Sequence, residues 1–364
     1  MFISAAVTAL ILYIFLLLKF TFYSGRKYPV NSNIKVKSVS VIIAAKNEEE
    51  NIEECIESVL KSEYPENKME IIVVDDNSAD NTYSLLKKLE SRYPGRLKLL
   101  QTPADGRKII GKANAVDFAI CNSSGEIIMI TDADCRVNNA WVKKTAGYFT
   151  TDVKMVCGYT QISGTGLFDA VQGLDLLYLL TIASGNASSG KPVSCIGNNM
   201  AFTREAYNAI GGFEKLGFSV TEDQQLLKAV YEIDKTGIVF PSESETVITT
   251  KPLKGIKEFI SQRKRWGKGG MDTGTYGLAM QMLAFFLNVS IIISAVLYLN
   301  MFFILLGLKL SADTFLLIIS SRRLSIKYKL RYIPLFELFN ILYICILPFL
   351  ILMDPKISWK GEKY

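Results

Sequence analysis

The chain has 364 residues, of which 49% are hydrophobic and 21% are charged. This composition is too apolar for an ordinary soluble enzyme and too charged for a protein that lies wholly in a bilayer, so it predicts a mixed architecture. The net charge of +6 suits a face against anionic lipid. Nucleic acid is not an expected partner, because the basic clusters lie beside the apolar segments and no basic patch interleaved with aromatic residues occurs elsewhere.

Two residue types limit the chemistry further. The six cysteines form no Cys-x-x-Cys pair and no compact framework, so we expect reduced thiols with neither zinc nor disulfides. The sequence contains no histidine. Any general acid or base must therefore be a carboxylate or a less usual group.

An apolar stretch covers residues 2–20 and is long enough to span a bilayer. No basic segment precedes it and no small-residue cleavage site follows it, so residues 1–22 are predicted to be an anchor. Basic residues follow at Lys19, Arg26, Lys27, Lys35 and Lys37. By the positive-inside rule we expect the N-terminus outside and the chain after residue 20 in the cytoplasm, at the plasma membrane of a bacterium or an archaeon.

Residues 36–250 alternate between strand and helix patterns. Strands are predicted at 38–45, 69–74 and 97–100, and a further strand ends at Asp132. The intervening helices are expected to begin at Asn47 as N-cap with Glu50 at N3, to turn Leu85, Leu86 and Leu89 inward, and to begin again at Lys112. This order implies an α/β, doubly wound sheet with its ligand at the carboxyl ends of the strands. The side chains predicted at that edge are Lys46, Asn47, Asp75, Asp76, Asp132 and Asp134.

Asp132 and Asp134 follow the strand one residue apart, so both carboxylates project to the same side of the chain. Two like charges held that close repel unless a cation lies between them. Oxygen ligands suit Mg²⁺ or Mn²⁺, and such ions keep positions open for substrate phosphates. An exposed acidic turn is the alternative interpretation.

Four later segments are ambiguous, and two of them carry polar groups with two interpretations each. Glu222 and Asp223 follow Thr221 at the start of a helical pattern, where they fit either a catalytic carboxylate or an ordinary helix cap. Gln262, Arg265 and Trp266 share one face of a helix within the basic, interfacial stretch 251–275, and we expect both a ligand contact and a membrane contact there. Residues 193–196 fit a buried strand. Residues 167–182 fit either an amphipathic surface helix or core packing.

The C-terminal part, residues 276–353, contains further apolar segments at 276–310, 312–320 and 332–353. The basic stretch 322–331 is expected in the cytoplasm, which requires an even number of crossings before it. The simplest solution is a hairpin that turns near Asn300, with Lys309 inside its second helix. Pro334 and Pro348 leave open whether the last segment crosses the membrane or re-enters it.

Several of these residues belong to motifs that occur together in one family. The sequence resembles family 2 glycosyltransferases of the GT-A fold, whose catalytic domain is a doubly wound mixed sheet. The motifs stand in the same order in both: Val-Ser-Val-Ile-Ile-Ala-Ala-Lys-Asn-Glu-Glu at 39–49, Ile-Ile-Val-Val-Asp-Asp-Asn-Ser at 71–78, Gly-Lys-Ala-Asn-Ala at 111–115, Thr-Asp-Ala-Asp at 131–134, Gly-Asn-Asn-Met-Ala-Phe-Thr-Arg-Glu-Ala at 197–206, Thr-Glu-Asp at 221–223 and Gln-Arg-Lys-Arg-Trp at 262–266.

This resemblance implies a role for each matched residue. Asp75 and Asp76 would contact the base and ribose of a nucleotide-sugar, Asp132 the ribose, and Asp134, with Asp132, a Mg²⁺ or Mn²⁺ ion on the diphosphate. The donor pocket would also include Ala45, Asn47, Glu48, Lys112, Gln262 and Arg265. Asp223 would be the catalytic base, with Glu222 beside it. Trp266, Cys195 and Asn199 would line the acceptor side.

The implied activity is inverting transfer of a sugar, from a UDP-sugar by expectation, to a hydroxyl of a membrane lipid or lipid-like acceptor. The tail, residues 354–364, is similar to the ending of ceramide-glucosyltransferase-like and carotenoid-glycosyltransferase-like members, with Glu362 where an arginine is expected. A processive polysaccharide synthase shares the Gln-x-x-Arg-Trp motif and is the first alternative. A sugar nucleotidyltransferase and a non-catalytic membrane scaffold are the others.

Overall fold

The computed structural model describes residues 1–30, 36–103, 109, 111–328 and 330–353, and the backbone of 358–359 and 362–363. Its helices are α1 (Phe2–Tyr23), α2 (Ile52–Leu60), α3 (Thr82–Arg92), α4 (Lys112–Cys121), α5 (Trp141–Gly147), α6 (Leu167–Ser188), α7 (Arg204–Ile210), α8 (Gly212–Leu216), α9 (Glu222–Ile233), α10 (Ile256–Gly270), α11 (Gly274–Leu297), α12 (Leu299–Arg323) and α13 (Ile333–Met353). Its strands are β1 (Val39–Ala45), β2 (Met69–Asp75), β3 (Leu97–Gln101), β4 (Ile127–Asp132), β5 (Cys135–Arg136), β6 (Met155–Cys157), β7 (Thr160–Ile162), β8 (Met200–Thr203), β9 (Ile238–Val239), β10 (Ile248–Thr250), β11 (Ser358–Trp359) and β12 (Glu362–Lys363). The side chains of the tail motif at 359–364 lie outside the described residues.

The central sheet has seven strands in the order β3-β2-β1-β4-β8-β6-β9. The first four run parallel, β8 runs antiparallel to both β4 and β6, and β9 pairs parallel with β6. The chain leaves β1 toward β2 on one side and returns to pair β4 on the other, which opens a crevice at the carboxyl ends of these strands. The predicted α/β, doubly wound, mixed sheet is therefore confirmed.

The sheet separates two apolar layers. Val41 and Ile43 of β1 face a layer that contains α2, α3 and α5, whereas Ile42 faces the opposite layer with α4, α6 and α9. This alternation follows from the two-residue period of a strand, and it explains why β1 is an almost unbroken apolar run. The second layer continues without a break into α1, α12 and α13, so the sheet and the long helices share one core.

Two local predictions are wrong. Helix α2 begins at Ile52 after Asn51, not after Asn47, because Asn47 adopts φ 54° and its side-chain oxygen accepts a hydrogen bond from the Ala79 N–H (2.8 Å). Asn47 therefore braces the neighbouring loop instead of capping a helix. Residues 193–196 form no strand; they are partly buried coil before β8.

Within the described part of the chain, five helical segments are long and apolar enough to cross a membrane: Phe2–Tyr23, Leu167–Ser188, Gly274–Leu297, Leu299–Arg323 and Leu330–Met353. In four of them about a quarter of the most apolar window is buried against the protein, but in α6 the buried share is 72%. The alternatives for residues 167–182 are thus resolved in favour of core packing. Helix α6 joins the sheet strands to the long helices, since it contacts β7 and β9 as well as α1, α12 and α13.

The predicted hairpin near Asn300 is present. Helix α11 ends at Leu297 and α12 begins at Leu299, while the ring of Tyr298 stacks on Phe2 at the start of α1 (centroids 5.8 Å apart). At the other end of the pair, the Arg323 guanidinium donates a hydrogen bond to the Thr21 carbonyl (2.6 Å). Helices α1 and α12 therefore run side by side in the same direction. The predicted separate segment 312–320 is part of α12, which continues through Ser311.

Lys309 lies inside α12 as predicted and is fully buried. Its ammonium group contacts Asp313 one turn further along the helix (2.8 Å) and Glu337 on α13 (2.5 Å), and the hydroxyl of Tyr13 donates to Asp313 (2.7 Å). We call Tyr13, Lys309, Asp313 and Glu337 the bundle charge cluster. These contacts give the lysine the partners that a charged group needs inside an apolar helix bundle.

Candidate active site

The carboxyl ends of β1, β2 and β4 bring the predicted edge residues together. Ala45 pairs with Asp75 on one side of β1, and Ala44 pairs with Asp132 on the other. The two acidic strand ends are therefore separated by one strand. The side chain of Ala45 lies in the core, and its carbonyl accepts the Asp76 N–H (2.8 Å), so Ala45 offers only backbone to this edge.

Asp75 is completely buried at this edge. Its Oδ2 accepts hydrogen bonds from the Gln101 side chain and the Ser78 N–H, both at 3.3 Å. Its Oδ1 is also buried and has no hydrogen-bond partner among the described residues. A buried acceptor without a partner is costly, so this oxygen favours a ligand that donates a hydrogen bond to it.

Asp76 is held between a hydroxyl and a cation. Thr102 Oγ1 donates to Asp76 Oδ1 (2.9 Å), and the Lys46 ammonium lies 3.7 Å from Oδ2. Asn47 and Glu48 have a different task, because they tie the β1 loop to the β2 loop. The Asn47 N–H donates to Ser78 Oγ (2.9 Å), and the Glu48 N–H donates to Thr82 Oγ1 (2.8 Å).

Asp132 is the last residue of β4, Asp134 lies two residues further on, and both are partly exposed. Asp132 Oδ1 lies 2.5 Å from the Lys112 ammonium, whereas Asp134 accepts hydrogen bonds from Thr250 Oγ1 (3.2 Å) and from the Cys135 thiol (3.4 Å). Burial, and then repulsion by Asp132 and Glu48, raises the pKa of Asp134 to about 6. A nearby cation would reverse this effect, because it would stabilise the charged carboxylate.

The donor set fits a hard divalent cation that keeps open positions. In the described ranges no group of three or more His, Cys, Asp and Glu side chains lies together as a closed metal cage. Mg²⁺ and Mn²⁺ sites at phosphates commonly use one or two carboxylates and complete their ligands with water and phosphate oxygens. Asp132 and Asp134 match that pattern.

Lys112, the first residue of α4, connects this acidic pair to the Thr-Glu-Asp segment. Its ammonium contacts Asp132 and also lies 3.7 Å from Glu222 Oε1. The two carboxylates raise the pKa of Lys112 against the opposing effect of burial, so the group stays charged. The lysine thereby holds the start of α9 against the end of β4.

Asp223 lies in the first turn of α9 and has the properties of a tuned carboxylate. Burial, then the neighbouring charge of Glu222, raises its pKa to about 6, against the opposing charges of Lys112 and Arg265. Its Oδ1 accepts the Gln224 N–H (2.9 Å), while the side chain of Thr221 makes no cap hydrogen bond. A Cβ atom at Gly197 would lie 3.1 Å from Asp223 Oδ2, so glycine keeps the space beside this carboxylate open.

Helix α10 carries the predicted Gln262, Arg265 and Trp266. Arg265 reaches toward the start of α9 and contacts the Val220 carbonyl (3.4 Å). Gln262 Oε1 accepts a hydrogen bond from Arg263 (2.6 Å), and the guanidinium of Arg263 lies over the ring of Trp266, 4.2 Å from its centroid. Arg265 thus connects the motif to the start of α9, where Asp223 lies. Arg263 contacts the other two motif residues, Gln262 and Trp266.

The predicted acceptor residues differ in accessibility. The Cys195 thiol is partly buried and donates to the Asp223 carbonyl (3.5 Å). Asn199 is only 3% exposed; its oxygen accepts the Trp141 indole N–H, and its amide donates to the Tyr159 and Thr246 carbonyls. Because every polar atom of this side chain is bonded to protein, we do not retain Asn199 as an acceptor contact.

Sequence reasoning missed some residues that support the site, chiefly Gln101, Thr102, Thr250, Asp175 and Arg263. The first three lie at ends of strands, and a complete reading of the strand ends would have found them. The basic stretch 251–275 predicts that Arg263 is an interfacial residue, yet Arg263 is only 4% exposed. The available signal was its partner, since Asp175 is the only charged residue between Asp169 and Lys191 in a long apolar segment.

Comparison with known proteins is consistent with this geometry. Residues 40–211 match glycosyl transferase family 2, and residues 127–353 match glycosyl transferase family group 2. The chain is 28% identical over 248 residues to the beta-monoglucosyldiacylglycerol synthase of Synechocystis, covering 66% of this chain and 49% of that protein. It is 24% identical over 258 residues to the poly-beta-1,6-N-acetyl-D-glucosamine synthase of Staphylococcus epidermidis, covering 68% and 60%.

Among solved structures, the mannosyltransferase PcManGT from Pyrobaculum calidifontis, in complex with GDP-Man and Mn²⁺, superposes with a TM-score of 0.65. The match covers 90% of this chain and 99% of that chain at 19% sequence identity, so it speaks for a shared fold. The chain spans about half the length of the first curated relatives that it matches.

Proposed function

Because this chain belongs to glycosyltransferase family 2, we propose that it transfers a sugar from a nucleoside-diphosphate sugar to a hydroxyl of a membrane lipid or lipid-like acceptor, with inversion at the anomeric carbon and with a divalent metal. One observation carries the proposal. Lys112 contacts both Asp132, beside the candidate metal ligand Asp134, and Glu222, beside the candidate base Asp223. The carboxylates proposed to bind the sugar donor and the carboxylate proposed to act as a base thus lie in one site.

The nucleoside would lie at the ends of β1 and β2. The unpartnered Oδ1 of Asp75 would accept a hydrogen bond from an N–H of the base, and Asp76 would bind the ribose hydroxyls. Uracil has such a donor at N3, so a UDP-sugar is the donor that we propose. The solved relative in complex with GDP-Man shows that this fold also holds a guanine nucleotide, and the test therefore includes both.

Asp134, with Asp132, would hold Mg²⁺ or Mn²⁺ against the diphosphate. When bound, the ion supplies positive charge that stabilises the departing diphosphate. Lys112 and Arg265 add fixed positive charge on the same side of the site, where it is most effective as the glycosidic bond breaks. Both side chains act on the donor by orientation and charge.

Asp223 would take the proton of the acceptor hydroxyl. With a pKa of about 6 it is ionised at neutral pH and is still a stronger base than an ordinary aspartate. Gly197 has no Cβ that would crowd Asp223 Oδ2, the oxygen that would accept the proton. Attack on the face of the anomeric carbon opposite the departing diphosphate would give inversion.

The acceptor would approach along α10 and the long helices. Trp266 is half-buried against the apolar core and would offer a flat wall, and the Cys195 thiol contacts the Asp223 carbonyl. Helix α13, which is apolar enough to cross a membrane, packs against α10, and this favours an acceptor that stays in the lipid. The relative named beta-monoglucosyldiacylglycerol synthase supports the same class of acceptor.

A processive polysaccharide synthase is the second candidate, because one relative carries that name. Membranes that contain the protein should be incubated with radiolabelled UDP- and GDP-sugars in the presence of Mn²⁺ or Mg²⁺. Label that partitions into organic solvent with a single added sugar supports the lipid acceptor. Label retained as an insoluble polymer supports the synthase, and label in neither fraction with any donor overturns the proposed function.

A further inference from the structure

A buried ion pair joins α10 to α6. Asp175 of α6 is fully buried and Arg263 of α10 is 4% exposed. The Asp175 Oδ2 atom accepts hydrogen bonds from Arg263 Nε (2.9 Å) and from Arg263 Nη2. Two donors of the planar guanidinium therefore converge on one carboxylate oxygen, which restricts the orientation of the guanidinium as well as its position.

Helix α13 adds a third residue, Tyr343, to this ion pair. The hydroxyl of Tyr343 donates to Asp175 Oδ1 (2.9 Å). The guanidinium also lies 4.2 Å from the ring centroid of Phe259, which in turn packs against Phe339 of α13 (5.0 Å). Asp175 thus has a hydrogen-bond donor on each oxygen, from two different helices.

The other edge of the guanidinium reaches the Gln-x-x-Arg-Trp motif. Arg263 Nη1 donates to Gln262 Oε1 (2.6 Å), and the guanidinium face covers Trp266 at 4.2 Å. Both contacted side chains are those that the resemblance assigns to diphosphate and acceptor. The Arg263 guanidinium, whose partner Asp175 is bound by α6 and α13, therefore sets the orientation of Gln262 and Trp266.

Stability alone does not explain a charge network at this place. A buried ion pair contributes little net stability compared with apolar side chains of the same volume, because both charges lose their hydration. The network does restrict geometry, and small displacements of groups that hold a substrate have large effects on rate. Close packing strengthens the link: a Cβ atom at Gly267, next to Trp266, would lie only 2.7 Å from Ile351 of α13.

We propose that Asp175, Arg263 and Tyr343 are positioning residues that orient Trp266 for the acceptor and Gln262 for the diphosphate, and that both orientations depend on the position of α13. The inference rests on the proposed function, since it concerns the substrate contacts of that same reaction. It assigns no contact with substrate to the three residues themselves.

The test compares Asp175→Asn and Tyr343→Phe with the unaltered full chain in membranes. Asp175→Asn keeps size and removes the counter-charge of Arg263, and Tyr343→Phe removes a single hydroxyl. We expect Asp175→Asn to raise the acceptor KM roughly 10- to 100-fold and, through Gln262, to weaken nucleoside-diphosphate binding by a smaller factor, and Tyr343→Phe to have weaker effects on both. Asp313→Asn is the matched control, because it disturbs a buried ion pair of the bundle charge cluster that does not contact α10.

A double-mutant cycle with Trp266→Ala separates positioning from general loosening. If Asp175 acts through Trp266, its substitution adds little to the effect of Trp266→Ala, whereas independent effects multiply. The proposal is overturned if Asp175→Asn leaves the acceptor KM unchanged, if its effects multiply with those of Trp266→Ala, or if Asp313→Asn produces the same rise. Absence of transfer by the unaltered protein with every donor and acceptor would contradict the proposed function instead, so the two failures are distinguishable.

Discussion

Asp223 and Glu222 are neighbours in the first turn of α9 with different surroundings, and their substitutions separate a base from its support. Asp223→Asn keeps the size of the side chain and its hydrogen bond to the helix end but cannot take a proton. We expect transfer to fall by roughly 10²- to 10⁴-fold with nucleotide affinity nearly unchanged. Initial rates and titration with the nucleoside diphosphate measure the two effects.

Glu222→Gln is the control for this change, because it removes the adjacent carboxylate at the same helix start. If Glu222→Gln abolishes turnover and Asp223→Asn does not, the catalytic role belongs to Glu222. If neither variant slows transfer, the Thr-Glu-Asp segment is only a helix start.

The pH dependence of transfer gives a second test at this residue. A base must be deprotonated, and burial and Glu222 raise the pKa of Asp223 to about 6, so the rate should fall as pH drops through about 6. Removing the like charge with Glu222→Gln lowers the pKa of Asp223 and should move this acid limb to lower pH. A pH–rate profile of both proteins measures the shift, and an acid limb that stays in place would contradict the assignment of Asp223.

Asp134 and Asp132 should contribute unequally to metal-dependent donor binding. Asp134→Ala removes the proposed metal ligand, and we expect it to abolish the effect of Mn²⁺ on nucleoside-diphosphate affinity. Asp132→Ala should do so less completely, because it leaves the proposed metal ligand Asp134 in place and releases the positive charge of Lys112. Calorimetric titration with and without Mn²⁺ distinguishes the variants. Unchanged metal-dependent affinity in both would remove the metal assignment.

At the scale of single elements, α12 depends on a charge that its apolar neighbours cannot solvate. Lys309→Met leaves Asp313 and Glu337 buried without a cation, which should destabilise the folded protein by about 3–5 kcal/mol. The change in stability is measured by thermal unfolding in detergent, with the loss of soluble protein as the signal. A triple variant, Lys309→Met with Asp313→Leu and Glu337→Leu, should recover most of the stability because no charge remains unpaired. Equal destabilisation by both variants would mean that packing, not charge, is the cause.

At the scale of the whole molecule, the positive-inside pattern predicts the orientation in the membrane. Cys121 at the end of α4 is exposed and therefore reports on which side of the membrane the central sheet lies. A membrane-impermeant thiol reagent should label a cysteine placed at Met1 on intact cells but leave Cys121 and a cysteine placed at Val36 unlabelled until the cells are permeabilised. Labelling of Cys121 on intact cells would reverse the proposed topology.

How far the sequence predicts this structure depends on the range of the interactions involved. Strand ends such as Asp75 and Asp132 could be placed because residue alternation and helix–strand order are local signals. The role of Asn47 could not, because its backbone conformation is set by hydrogen bonds to a loop about thirty residues away. The hydrogen bonds of Asn199 and the burial of Arg263 could not be predicted for the same reason, since their partners lie far away in the sequence.

The apolar core that runs without a break from the central sheet into the long helices has a consequence for how the protein can be handled. Helix α6 is covered on one side by the sheet layer and on the other by α1, α12 and α13. A fragment that stops before α11 would turn much of that second side toward water, and large exposed apolar faces drive association. We therefore do not expect a fragment with the central sheet but without α11, α12 and α13 to be soluble when purified. Detergents that loosen the long helices should inactivate the protein for the same reason, because they expose the same apolar side of α6.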